Sequence, residues 1–143
     1  AHPLIPSILP PIPRGRMTTS TLLTVREAQI ELQPGERYAG LALDAEGHAS
    51  HHLVLLPGEA ENVSWQAAKD WAATAGGDLP TRQEQSLLFA NLKSEFKPRW
   101  YWSGQEYDDD SSGAWGQYFT YGTQGNGGKS FEGLARAVRR FAA

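Results

Sequence analysis

Two stretches of helical periodicity sit side by side near the middle of the chain, with short strand-like runs before and after them. In "SWQAAKDWAATAGG" the apolar residues Trp65, Ala68, Trp71, Ala72 and Ala75 fall on one helical face. Ser64 is placed to cap its start and Gly76-Gly77 to end it. In "LPTRQEQSLLFANL" Thr81 precedes Glu84 by three residues, a capping box ahead of an apolar run through Leu87, Leu88 and Leu92. Strands segregated from helices in this way specify an α+β fold built on antiparallel β-sheets, not a doubly wound parallel one.

Upstream, "YAGLALDAEGHASHHLVLLPGEA" predicts a hairpin: one strand over 38–43, a turn over 44–47 and a return strand over 48–56. "TLLTVREAQIELQPGERYAGLAL" adds β-branched residues and a partial alternation through Ala28, Ile30 and Leu32, which predicts strand from Thr18 onward. Downstream, "RWYWSG", "AWGQYFTYG" and "LARAVRRF" predict further short strands separated by Gly, Ser and Asp clusters.

The first sixteen residues, "AHPLIPSILPPIPRGR", are of another kind. Five prolines exclude a helix or central strand and favour polyproline II. Leu4, Ile5, Ile8, Leu9 and Ile12 are interleaved with them, so residues 1–17 are expected to be an extended Pro-rich arm docking on a neighbouring subunit. Met17 is a candidate initiator, which would make the arm an upstream extension. Residues 18–143 then form one domain, a length that suits a single core.

Charge and composition narrow the partners. A net charge of -3 gives no reason to expect nucleic acid. No apolar run is long enough to insert in a membrane, and the start lacks the pattern of a secretory leader. The chain has no cysteine, which removes thiolate ligands and nucleophiles. His48, His51 and His52 lack zinc-like spacing, since 51 and 52 point to opposite faces of a strand. Glu106, Asp108, Asp109 and Asp110 fit a solvated acidic loop better than a calcium site. No cofactor or metal is expected. The serines have no evident His/Asp partner, "GTQGNGGKS" departs from a phosphate loop, and a carboxylate pair from Glu106 and Glu132 is the enzymatic alternative left open.

The region from Trp100 to Phe141 concentrates aromatics in a glycine-laced segment. Tyr and Trp give large contact area at low entropic cost, while Ser, Gly and Asn adapt their hydrogen bonds. The expected ligand-binding residues are Tyr107, Asp108, Asp110, Trp115, Tyr118, Tyr121, Gln124 and Asn126. Strand alternation should turn about half of the aromatics inward. Arg136, Arg139 and Arg140 are expected on a closing strand, with Arg136 and Arg139 on opposite faces and one pairing with Glu132 or the acidic loop.

"LPT" at 79–81, "YWS" at 101–103, the aromatic run 115–119 and "RAVR" at 136–139 together resemble a family of bacterial and bacteriophage domains typified by the collagen-like adhesin Lcl C-terminal domain. The likeness spans roughly 34–141 and extends, more distantly, to phage receptor-binding proteins diversified by retroelements. It implies a C-type-lectin-like fold and a non-enzymatic recognition module, phage or prophage encoded, on a virion or cell surface. The implied partner is a cell-surface receptor or glycan, or another virion protein. Alternatives are a structural virion or tail assembly protein and a glycan-active enzyme.

Overall fold

The computed structural model describes residues 19–143, so the expected arm lies outside the described residues. The fold is α+β: two helices packed with two β-sheets. β1 (Arg37–Leu43) and β2 (Ala49–Leu55) form the expected antiparallel hairpin, and β8 (Val138–Ala142) adds to β2 to give a three-stranded sheet ordered β1-β2-β8. Asp44 closes the hairpin turn by accepting from the amides of Glu46 and His48, and Gly47 supplies the positive φ of 83°.

The second sheet has five strands in the order β3-β7-β4-β5-β6: β3 (Ala60–Val63), β4 (Trp100–Glu106), β5 (Gly113–Tyr118), β6 (Gln124–Gly128) and β7 (Gly133–Ala135). It is not wholly antiparallel as expected, because β7 runs parallel to β4 at Tyr101 and Leu134. The chain leaves β6, crosses the sheet and slots β7 between β3 and β4.

Helix α1 (Trp65–Thr74) starts where expected, with Ser64 Oγ accepting from the Ala67 amide. Asn62, at φ 54°, takes the left-handed turn just before that cap. Helix α2 (Arg82–Leu92) carries the complete capping box between Thr81 and Glu84. α1 buries Trp65, Ala68 and Ala72 against Trp100, Trp102 and Ala135. α2 buries Leu88 and Leu92 between the two sheets, among Leu53, Leu55, Tyr101 and Phe119.

Two sequence expectations are corrected. "LARAVRRF" is not one strand: it breaks at Arg136 and Ala137 into β7 and β8, which belong to different sheets. The Arg136 guanidinium is buried at the break and donates to the carbonyls of Leu56 and Glu95. Neither Arg136 nor its neighbours pair with Glu132 or the acidic loop. Arg139 binds Glu36, and Arg140 binds Glu84 and Asp78. Nor does the strand expected from Thr18 onward appear among the described residues: residues 19–32 contain no regular element and make no backbone–backbone hydrogen bond there. Their β-forming side chains find no sheet edge in the same chain.

Candidate functional site

The indoles of Trp100 and Trp102 meet edge to face on the α1 side of the five-stranded sheet, their planes 80° apart, and glycines leave room for Trp100. A Cβ at Gly116 would stand 2.4 Å from Trp100, and one at Gly133 2.7 Å from it. Trp100 in turn meets Tyr118 edge-on, with centroids 5.0 Å apart, as its direct cross-strand neighbour. Beside them Pro98, Arg99, Thr120, Phe131 and Glu132 complete the walls of a groove of about 340 Å³. Tyr118 and Phe131 are each 51% exposed, whereas Trp100 is its buried floor. The side chains of Arg99 and Glu132 make no hydrogen bond or ion pair among the described residues. The groove therefore presents two aromatic flanks, a free guanidinium and a free carboxylate.

The opposite face of the same strands carries a second cluster. Trp115 is half-buried, with the Arg82 guanidinium stacked 3.5 Å from its ring centroid and Tyr107 5.0 Å away. Gln124 accepts from Arg82 Nε at 3.0 Å and donates to the Arg82 carbonyl and to Gln117. Asn126 pairs in register with Trp115 and is exposed.

The eight expected site residues thus fall into separate places. Tyr107, Trp115 and Gln124 come together with Arg82, and Asn126 sits opposite Trp115 in the strand register. Tyr118 points to the other face, with Trp100 and Thr120. Tyr121 sits in the β5–β6 turn, 82% exposed. Asp108 and Asp110 occupy the exposed β4–β5 turn, where Asp110 accepts from the Ser112 amide and hydroxyl, which hold its carboxyl below the usual range. Phe131 and Arg99 were missed, and Glu132 was considered only as half of a carboxylate pair with Glu106. Phe131 alone offered a signal, being an aromatic inside the loop sequence "GKSFEG".

The chemistry weighed from the sequence resolves into structural contacts. Glu106 is held by Lys129 at 2.5 Å and does not line the groove that Glu132 lines. His52 meets the Tyr38 hydroxyl, and His51 Nε2 lies 2.6 Å from Glu84. No group of three His, Asp or Glu is placed to hold a metal among the described residues. A serine does have a histidine partner after all: Ser50 Oγ is 2.9 Å from His51 Nδ1. Behind it, however, Glu84 is already engaged by Arg140 at 2.6 and 2.8 Å and by the Thr81 amide. Burial alone would raise the Glu84 carboxyl, but these donors outweigh it and hold the group ionised below its usual range. The contacts lock β2, β8 and the start of α2 together. Tyr101 is similarly structural: burial, and then its bond to Glu59, hold its phenol far above the ordinary value.

Against known proteins, no family model matches the chain, and no curated protein matches it significantly.

Proposed function

We propose that the chain is a non-enzymatic recognition module on a C-type-lectin-like scaffold, phage or prophage encoded and displayed on a virion or cell surface. The scaffold and setting rest on the motif resemblance at 79–81, 101–103, 115–119 and 136–139. The observation that carries the binding reading is the groove over Trp100. Its flanks, Tyr118 and Phe131, are half-exposed large rings held on a rigid sheet and its adjoining turn. Such rings lose little entropy on contact and dominate recognition surfaces. Arg99 and Glu132 add a donor fork and an acceptor at the rim. The ligand is a cell-surface receptor or glycan that offers an apolar face to the rings and polar groups to the rim. Trp115, Tyr107 and Asn126 extend the contact surface on the other side of the strands.

The test is adsorption of the protein to candidate bacterial cells and to a glycan array, repeated with Tyr118→Ala, Phe131→Ala and Trp115→Ala. Loss of binding at Tyr118 or Phe131 with unchanged unfolding supports the groove. Folded variants that all bind like the parent chain would sink it.

A further inference from the structure

On the face of the sheet opposite the groove over Trp100, one guanidinium is fixed in place and left without a counter-charge. Arg82 opens α2, and its Cζ lies 3.5 Å from the centroid of the Trp115 ring. That stack sets the plane of the guanidinium. Its Nε donates to Gln124 Oε1 at 3.0 Å, which sets its rotation within the plane. Gln124 is itself held, because its amide donates to the Arg82 carbonyl at 2.7 Å and to Gln117 Oε1 at 2.9 Å. Gln117 is fully buried and donates in turn to the Gln85 carbonyl at 2.9 Å. A chain of glutamines running into the interior thus positions one half-buried arginine.

That chain leaves the outer edge of the guanidinium free. Nη1 and Nη2 make no hydrogen bond, and Arg82 forms no ion pair, among the described residues. The other arginines of the two sheets differ. Arg37, Arg139 and Arg140 are paired with carboxylates, and Arg136 is spent on two carbonyls in the interior. The acids on the adjoining elements are already engaged: Glu84 of α2 by Arg140, and Glu106 of β4 by Lys129. Asp108 and Asp109, in the exposed β4–β5 turn, form no ion pair with Arg82. Beside the stack lie neutral hydrogen-bonding side chains. Asn126 is opposite Trp115, Tyr107 is 5.0 Å from it ring to ring, and Gln105 Oε1 receives the Arg82 amide at 2.7 Å.

We propose that Arg82 receives a carboxylate of the ligand, so that the glycan recognised by this surface carries an acidic sugar of the uronic type. The proposal rests on the glycan reading given above, and not on the groove over Trp100. A guanidinium presents two parallel N–H bonds that match the two oxygens of a carboxylate. Most of the freedom such a side chain would lose on binding is already lost here in folding, which is what makes a fixed fork a better receptor than a loose one. The charge selects among anions. One uncompensated positive charge matches the single negative charge of a carboxylate, whereas a phosphate monoester approaches two at neutral pH. The neutral amides and hydroxyl of Gln105, Asn126 and Tyr107 suit the hydroxyls of a sugar that bears the acid.

Titration of the full chain with D-glucuronic acid, followed by proton–nitrogen NMR at the Arg82 Nε–H and the Trp115 indole N–H, tests the proposal. Glucuronate should move both signals at concentrations where D-glucose moves neither, and added salt should weaken the effect. Arg82→Gln should abolish it. Arg82→Lys keeps the charge and loses the fork, and should weaken binding about tenfold. Thermal melts of both variants establish that each is folded at the temperature of the titration. Glucose acting as strongly as glucuronate, or Arg82→Lys binding like the parent chain, overturns the proposal. So does inorganic phosphate moving the same signals at lower concentration than glucuronate. A glycan array separates this site from the groove. Acidic glycans bound by the parent chain and lost with Arg82→Gln support the proposal. Glycan binding lost with Tyr118→Ala but kept with Arg82→Gln overturns it and leaves the groove standing. An array on which nothing binds, with Arg82 unmoved by glucuronate, overturns both.

Discussion

Glu84→Ala should be among the most damaging single changes to this domain. The carboxylate has no exposed surface and receives the Thr81 amide at 2.8 Å, His51 at 2.6 Å, and Arg140 at 2.6 and 2.8 Å. Removing one member of a buried ion pair leaves the other uncompensated and costs about 3–5 kcal/mol. Half of the capping box disappears as well; its remaining half is worth about 1 kcal/mol and stays with Thr81. Asp78 still reaches Arg140 at 2.9 Å, which places the expected loss near the lower end, about 3 kcal/mol. Glu84→Gln keeps the volume and an acceptor for the Thr81 amide, and should cost about half as much, on the order of 1.5 kcal/mol. Urea denaturation of the three proteins, with slopes unchanged, gives the differences directly. Because the folded carboxyl titrates below its usual value, its contribution is fully present above about pH 4.3 and is lost as pH falls through the lower folded value. The stability gap between the parent chain and Glu84→Gln should therefore narrow in acid. A loss under about 1 kcal/mol for Glu84→Ala, or a gap that stays constant from neutral pH into acid, would refute the reasoning.

Further outcomes follow from the two faces of the five-stranded sheet. Trp100→Ala, which empties a slot shaped by Gly116 and Gly133, should cost about 3–5 kcal/mol of folding by the same denaturation assay. Tyr118→Ala and Phe131→Ala should leave stability within about 1 kcal/mol while removing about 2 kcal/mol or more of ligand binding, measured by titration on adsorbing cells. Gly116→Ala should destabilise by about 1–3 kcal/mol, because the new methyl meets Trp100 and the Tyr101 carbonyl. Thermal melts with and without EDTA should coincide; a drop of many degrees would instead mark the Asp108–Asp110 turn as a cation site.

The local signals were legible and the long-range ones were not. Ser64, the Thr81–Glu84 pair and the glycine after Asp44 act within a few residues of themselves, and each element they announce is present. β6, with the sequence Gln-Gly-Asn-Gly-Gly, has no strand propensity to read. It is a strand because Gln124 bonds Gln117 on β5 and Arg82 on α2, the latter 42 residues away in sequence. The break in "LARAVRRF" is equally invisible locally, since Arg136 is fixed by carbonyls 80 and 41 residues away. Of the site, the aromatic composition was readable, but the face of each ring was not. Alternation correctly separated Tyr118 from Phe119, which is buried beside Tyr101. Tyr121 left that alternation by entering a turn closed by Gly122 at φ 78°.

The mixture of bulk and flexibility in the last third has a physical origin at the sheet itself. Trp100 and Trp102, two residues apart on β4, meet edge to face, and the Trp100 ring packs against bare backbone at Gly116 and Gly133. A Cβ at Gly127 would rest 3.4 Å from Trp100, an ordinary contact, whereas one at Gly116 or Gly133 would overlap it. The glycines at 116 and 133 are therefore packing residues, serving the core by their size. Their effect carries to the surface. Trp100 is the buried floor of the groove, and the half-exposed Tyr118 and Phe131 are its walls. A Cβ at Gly133 would stand 2.7 Å from the Trp100 ring, so enlarging this residue would displace the indole that floors the groove. The residues that look least specific in this stretch thus shape the floor of the groove proposed to bind ligand, and a Gly133→Ala variant that stays folded should bind ligand more weakly without any change to the aromatic residues.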